Sequence, residues 1–154
     1  IPDTMQGVSL YDCMLNNGKT RDAVMFGIHG CHVNVTDGRY VYMRAPNRGN
    51  KPLYDYTLMP ADMHAAFPAE RLRRAEMSPP FPFTRGMPLL KIPAKEWAPI
   101  DFREYGTLLF DLKHDPQQLH PVSDIGIERK MSTLLIKMMK ENNCPKEQFD
   151  RLGL

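Results

Sequence analysis

The stretch VNVTDGRYVYM at residues 33–43 constrains the fold more than any other part of the chain. Apolar side chains alternate on both sides of Asp37-Gly38, as they do in paired strands. Asp-Gly favours a two-residue type I′ turn, which needs positive φ at both central positions. The sequence therefore predicts a β-hairpin that pairs residues near 32–36 with residues near 40–44.

A further strand is predicted to begin near Ala23, where large apolar residues hold the even positions up to Ile28. From Val33 onward the apolar residues hold the odd positions instead. A slip of one residue moves every side chain to the other face of a sheet. We therefore expect a turn or bulge at Gly30-Cys31.

Two more strands and two short helices are predicted outside the hairpin. The strands are LYDYTLM (53–59) and TLLFDL (107–112). The helices are one turn in SLYDCML (9–15) and a short helix that begins near Pro60 and ends before Pro68.

The best-defined helix is predicted at 124–142, with Ser123 or Asp124 as its N-cap. Its apolar residues recur at spacings of three and four and form one stripe, which favours core packing over a Met-rich binding groove. The stripe consists of Ile127, Met131, Leu134, Leu135, Met138 and Met139. A short helix follows from Pro145 and ends at Gly153.

Proline sets the expectation for residues 68–106. Six of the 14 prolines lie between Pro79 and Pro99, and proline cannot donate to a central strand. We therefore expect a long irregular segment. Its apolar residues (Phe81, Phe83, Leu89, Leu90, Ile92 and Trp97) need burial, so we expect an exposed patch at 79–99 or self-association of the chain.

Together these elements predict an α+β fold. An antiparallel sheet of about four strands would pack against the helix at 124–142, with the proline-rich segment laid across the surface.

Composition excludes several classes of protein. The formal net charge of +2 gives no electrostatic footprint for nucleic acid, and no apolar run is long enough to cross a bilayer. The first residues lack the features of a signal peptide and an initiator Met, which suggests a chain cut from a longer one. Three cysteines without CxxC spacing argue against a disulfide framework and slightly favour a reducing, cytoplasmic compartment.

The segment HGCH at residues 29–32 carries the residue types of a reactive site. His29, Cys31 and His32 resemble zinc ligands, but structural zinc sites usually pair two such clusters, and no second cluster is present. A Cys–His nucleophile needs a geometry that neighbours on one strand rarely provide. The remaining alternatives are a plain turn with solvent-facing histidines and the rim of an active site.

Two other features have bland explanations that we favour over functional ones, and a third feature supports an alternative function. Asn34-Val35-Thr36 matches a glycosylation sequon inside a predicted strand. Asp111 and Asp115 could be taken for a catalytic acid pair. Asp115 precedes proline in a turn, however, where its side chain is expected to bond to local amides. The tyrosines Tyr40, Tyr42, Tyr54 and Tyr56 would form a glycan-binding row if all were exposed.

Three stretches in register resemble the C-terminal region of sulfatases. PDTMQGVSL (Pro2 to Leu10) is similar to the loop that leads into G-x-S-L after the last helix of the sulfatase catalytic domain. VTDGRYVYM (Val35 to Met43) is similar to the R-x-G-x-Y-K-Y hairpin. LLFDLKHDPQQLHP (Leu108 to Pro121) resembles the signature L-Y-D-L-x-x-D-P-x-E-x-x-N-L, and the order extends to the tail EQFDRLGL (Glu147 to Leu154).

The resemblance implies the C-terminal part of a formylglycine-dependent sulfatase of the alkaline-phosphatase-like superfamily. Residues 1–22 would be the tail of the catalytic domain and a linker, and residues 23–154 the C-terminal subdomain. The nucleophile motif C/S-x-P-S-R is not found at Cys13, Cys31 or Cys144. The formylglycine and the divalent cation (calcium or magnesium) would therefore belong to the upstream catalytic domain, with no catalytic or metal-binding residue here.

What this chain would contribute is contact at the rim of the substrate pocket. His29, His32 and Arg44 are the candidates, because donor-rich side chains suit a sulfated small molecule or glycan. The isolated chain is expected to be inactive. Two alternatives stay open: a self-standing glycan-binding or interaction module, and the C-terminal part of a phosphatase or phosphodiesterase of the same superfamily.

Overall fold

The computed structural model describes residues 5, 7–61, 65–94 and 102–154. The fold is α+β, with an antiparallel four-stranded sheet, a second small sheet and helices near the C-terminus. In chain order the elements are α1 (Tyr11–Asn16), β1 (Val24–Gly27), β2 (Val33–Thr36), β3 (Tyr40–Arg44), β4 (Tyr54–Thr57), α2 (Ala69–Leu72), β5 (Glu76–Ser78), β6 (Leu89–Pro93), α3 (Phe102–Tyr105), β7 (Leu108–Asp111), α4 (Ile125–Glu141) and α5 (Lys146–Leu152). A 3₁₀ turn (Pro82–Thr84) lies between β5 and β6.

The first sheet has the order β1-β2-β3-β7, and every neighbour is antiparallel. A turn with Gly30 at φ 78° joins β1 to β2, which confirms the turn predicted at Gly30-Cys31. The predicted hairpin is also confirmed, because Val33–Thr36 pair with Val41–Arg44.

The predicted type I′ geometry at Asp37-Gly38 is wrong. Gly38 has φ 89°, whereas Asp37 is not in the left-handed region. The Asp37 carboxylate instead accepts hydrogen bonds from the backbone N–H of Arg39 (3.0 Å) and Tyr40 (2.8 Å), so its side chain closes the turn.

Helix α4 covers one face of the first sheet. Asp124 caps it, since its Oδ1 accepts from the Ile127 N–H at 3.0 Å. The predicted stripe is confirmed: Met131, Leu135 and Met139 are buried, and the stripe's other members pack against the same core. The sheet contributes the row Met25, Val35, Tyr42 and Leu109, which the strand pairing aligns.

The second sheet has the order β4-β6-β5, so the prediction of an irregular segment over residues 68–106 is wrong. The central strand β6 runs between Pro88 and Pro93 and holds no proline before its last residue. Pro93 lies opposite Tyr54, next to the hydrogen-bonded pair Leu53–Ala94. Hydrogen-bonded and non-hydrogen-bonded pairs alternate, so the ladder to β4 needs no N–H from Pro93.

The short helix predicted from Pro60 to Pro68 is also wrong where the chain is described. Ala61 and Ala66 form an isolated antiparallel bridge, and residues 62–64 lie outside the described residues. The helix in this region, α2, begins after Pro68 instead of ending before it.

The exposed patch expected at 79–99 is present only in part. Leu89 and Ile92 are buried, while Phe83 is 59% exposed and stacks on Phe81. Trp97 lies outside the described residues.

Candidate functional site

Two buried side chains hold the HGCH turn in place. Asn50 Nδ2 donates to the Gly30 carbonyl at 2.8 Å, and Arg151 Nη1 donates to the Cys31 carbonyl at 3.2 Å. Arg151 also donates to Asn50 Oδ1 at 2.9 Å, and each of these two residues is only 2% exposed. Burial lowers the pKa of Arg151. A buried polar network therefore holds the turn in place.

Close backbone contact restricts the turn as well. A Cβ at Gly27 would lie 2.7 Å from the His32 carbonyl oxygen, so β1 can approach the end of the turn only with glycine at this position. Asn50 itself has φ 49°, a conformation that asparagine tolerates better than most residues.

Cys31 and His32 face inward. Cys31 is buried, and His32 Nε2 lies 2.7 Å from the Gly106 carbonyl oxygen. A carbonyl can only accept, so this nitrogen carries the proton and donates. Cys31 and His32 are thus buried within the fold, whereas His29 is exposed.

His29 is the solvent-exposed histidine of the turn. Its side chain is 55% exposed, and its Nε2 lies 3.0 Å from Asp55 Oδ1 on β4. The Arg71 guanidinium contacts the other oxygen of the same carboxylate and lies 3.8 Å above the Phe67 ring. Asp55 therefore links an exposed imidazole to a guanidinium whose side chain is largely buried.

An open cleft of about 450 Å³ lies beside this pair, and we name it the His29 cleft. It is lined by His29, Tyr54, Asp55, Tyr56, Thr57, Ala61, Phe67, Pro145 and Gln148. The cleft thus brings together the first sheet's turn, the edge of the second sheet and the start of α5.

Arg44 lies away from the His29 cleft. Its Nε donates to the Leu152 carbonyl at 2.8 Å and its Nη2 to the Gly153 carbonyl at 2.9 Å, so it fastens the end of α5 to β3. His29 and His32 both border a smaller cleft of about 320 Å³, which Arg44 does not line. The three candidate rim residues therefore do not converge on one cleft.

A second polar cluster joins the second sheet to α5. Glu147 Oε1 accepts from the Tyr56 hydroxyl and lies 2.8 Å from Lys91 Nζ. Although burial opposes it, hydrogen bonding to Lys91 and Tyr56 lowers the pKa of Glu147, and burial together with Glu147 raises the pKa of Tyr56. Lys91 also lies 4.3 Å from the centre of the Tyr54 ring.

The remaining candidates from the sequence have structural roles. Tyr40 and Tyr42 are buried, so the four tyrosines form no exposed row. Asn34 of the sequon is buried in β2. Asp115 accepts from the His120 N–H at 2.7 Å, which confirms its role in the turn, and Asp111 contacts Arg39 and His114.

Neither a metal cluster nor a membrane span is found in the described part of the chain. Residues 5, 7–61, 65–94 and 102–154 contain no group of three or more His, Cys, Asp or Glu side chains arranged to hold a metal ion. None of the helices described there is both long and apolar enough to cross a bilayer.

No known family model, curated protein or solved structure matches the chain. The function proposed below therefore rests on the geometry of the described residues and on the motifs in the sequence.

Proposed function

We propose that the chain is the C-terminal, non-catalytic portion of a sulfuric ester hydrolase, referred to below as the parent protein. In this role it completes the fold of the enzyme and places His29 at the rim of the substrate pocket. The substrate would be a sulfated small molecule or glycan.

The observation that carries this proposal is the exposure of α1. Helix α1 has no buried residue, and Tyr11, Met14 and Leu15 are 68%, 82% and 63% exposed. A helix of six residues with no buried side chain is far below the length that is stable alone in water. We therefore expect another surface to cover it, and the motif at residues 2–10 suggests the catalytic domain.

The outer face of β1 also exposes large apolar side chains. Val24 and Phe26 are each nearly half exposed, on the side of the sheet that faces away from α4, and Ile28 just after the strand is 50% exposed. The described residues between Met5 and Ile28 thus present a series of large apolar side chains to solvent, beyond what scattered surface residues explain. We expect the catalytic domain to pack on this surface.

The motifs that resemble sulfatases have structural positions that suit a subdomain. Arg39 from the hairpin donates to Asp111 from the LLFDL segment at 3.2 Å, which joins two of the motifs. The EQFDRLGL tail supplies Arg151, which holds the HGCH turn. These contacts support a role for this chain in building and orienting the rim of the substrate pocket.

The catalytic chemistry belongs to the upstream domain in this proposal. The divalent cation and the formylglycine held there would supply charge neutralisation and a nucleophile for hydrolysis of the sulfate ester. His29 would donate a hydrogen bond to an anionic or hydroxyl group of the substrate, and Asp55 would orient its ring. His32 and Arg44 would act indirectly, since both already bind main-chain carbonyls.

The test is turnover of an aryl sulfate by the parent protein and by the 154-residue chain. We expect metal-dependent hydrolysis by the parent protein, little activity on the matching aryl phosphate, and none by the isolated chain. His29→Ala in the parent protein should raise KM at least about tenfold, because one charge-assisted hydrogen bond is lost. His120→Ala, at an exposed histidine of the turn after β7, is the control and should leave KM unchanged.

The outcomes separate the alternatives. Preference for aryl phosphate would favour the phosphatase or phosphodiesterase assignment. Coding sequence upstream of Ile1 without C/S-x-P-S-R, or sulfatase activity in the isolated chain, would overturn the proposal.

A further inference from the structure

The smaller cleft beside the HGCH turn is bordered by a buried guanidinium, and we name it the Arg151 cleft. Its volume is about 320 Å³. Residues 25–30, from β1 and the turn, form one wall, and Gln148 and Arg151 from α5 lie on the other side. None of the described residues that line it is an aspartate or a glutamate.

Arg151 uses only part of its guanidinium to hold the turn. Nη1 donates to the Cys31 carbonyl and to Asn50 Oδ1, and Nε donates to Gln148 Oε1 at 2.9 Å. The third nitrogen, Nη2, makes no hydrogen bond to any residue that the structure describes. Nη2 is nevertheless not sealed off from solvent, so a small group in the Arg151 cleft can reach it.

The positive charge of Arg151 has no counter-charge among the described residues. Its three acceptors are uncharged amide or carbonyl oxygens, and the residue is only 2% exposed. Buried charges in proteins are normally paired, because the removal of a charge from water is costly. An anion in the Arg151 cleft would supply the missing counter-charge.

Gln148 provides a second donor beside Nη2. A guanidinium can only donate, so the amide oxygen of Gln148 faces Arg151 Nε and its NH2 group faces elsewhere. Nε and Nη2 lie on the same side of a guanidinium, which places Gln148 next to the free nitrogen. The NH2 group of Gln148 has no hydrogen-bond partner in the described part of the chain, and Gln148 lines the cleft.

The Arg151 cleft adjoins the His29 cleft. His29 and Gln148 line both of them, so these two residues stand at the boundary. A ligand whose anionic group lies at Arg151 would therefore extend past His29.

We propose that the Arg151 cleft binds an oxyanion group, either a sulfate or a carboxylate. Arg151 Nη2 and the Gln148 amide donate hydrogen bonds to it, and the guanidinium supplies the opposite charge. In the parent protein this group is an acidic substituent of the substrate other than the sulfate that is hydrolysed. That last step rests on the proposed function, whereas the anion site itself belongs to this chain.

The first test is an NMR titration of the 154-residue chain with sodium sulfate, at an ionic strength held constant with sodium chloride. The Arg151 Nε–H and Gln148 NH2 signals should shift and saturate. Gln148→Glu should weaken sulfate binding at least about tenfold, because its carboxylate removes the donor, repels the anion and pairs with Arg151. The fold should survive, since this carboxylate still accepts from Arg151 Nε.

Gln117→Glu is the matched control. It makes the same change of charge at an exposed residue of the turn after β7, outside the cleft, and should bind sulfate like wild type. Equal sulfate affinity of wild type and a folded Gln148→Glu would overturn the proposal. So would signals that shift no more with sulfate than with chloride.

The second test compares methyl sulfate with acetate in the same titration. Tighter binding of methyl sulfate assigns the site to a sulfate group, and tighter binding of acetate assigns it to a carboxylate. Binding of neither would contradict the anion site. Because these titrations use the isolated chain and no turnover, their failure is distinguishable from a parent protein that does not hydrolyse aryl sulfates.

Discussion

The two sheets of this protein are held in place by different kinds of contact. The first rests on α4 through an apolar core, in which Val35, Met131 and Leu135 are fully buried. The second is joined to α5 by Tyr56, Lys91 and Glu147 and to α2 by Asp55 and Arg71. Buried apolar area stabilises in proportion to its extent, whereas partly exposed ion pairs contribute little.

From this difference we expect the first sheet to contribute most of the stability, while β4 of the second sheet lines the His29 cleft. A surface that binds ligands is usually taken from the less stable part of a fold. The predictions below separate these two roles, beginning with the largest expected effect.

Truncation of the apolar core should destabilise the protein most. Leu135→Ala should lower the free energy of unfolding by about 2–5 kcal/mol, because it leaves a cavity between α4 and the sheet. Leu119→Ala, at a leucine that is 64% exposed, should change it by less than about 0.5 kcal/mol. Urea unfolding measures both, and equal losses would contradict the assignment of the core.

Loss of the network beneath the HGCH turn should have the next largest effect. Asn50→Ala removes buried hydrogen bonds to Gly30 and Arg151 and should cost about 1–3 kcal/mol beyond backbone strain. Asn143→Ala is the matched control, because exposed Asn143 has a similar φ of 54°. If the two variants lose the same stability in urea unfolding, the hydrogen bonds contribute nothing.

The polar contact between the second sheet and α5 should contribute less. Glu147→Gln should cost about 1 kcal/mol, since the ion pair with Lys91 is partly exposed. Glu141→Gln, which affects only a solvent-exposed pair with Lys137, should cost about 0.3 kcal/mol. A loss for Glu147→Gln as large as that for Leu135→Ala would remove the distinction between the two sheets.

The smallest effect is a pH dependence at Asp111. Hydrogen bonding to Arg39, followed by that to His114, lowers the pKa of Asp111 to about 2, from an ordinary value of 3.8. Because the folded pKa is the lower one, this contribution to stability is present above about pH 4 and is lost as the pH falls toward 2. The Tm of Asp111→Asn should therefore fall less than that of wild type over this range, and parallel curves would contradict the assignment.

The same difference decides what could be predicted from the sequence. Apolar residues recur at every second position in strands and at every third or fourth position in α4, because one face of each element is buried. This periodicity made β1, β2, β3, β7 and α4 predictable. Tyr56, Lys91 and Glu147 follow no periodic pattern, and they meet only through tertiary structure. Proline content then obscured β6, although Pro93 occupies a position where no N–H is needed for pairing with β4.

In the candidate site, the sequence allowed the exposed residue to be predicted but not the buried residues that support it. His29 could be selected by residue type, because two histidines and a cysteine within four residues are unusual. Asn50 and Arg151 carry no comparable signal, since a polar loop residue and a basic helix residue are normally exposed. Their burial follows from the return of α5 to the first sheet, which no local pattern encodes.

Hydrogen exchange of residues 11–16 tests the central claim most directly, that α1 packs on a catalytic domain. In the isolated chain these amides should exchange at rates close to those of an unfolded peptide, because the helix has no buried residue. In the parent protein they should be protected by on the order of a hundredfold or more. Strong protection in the isolated chain, or none in the parent protein, would contradict the account.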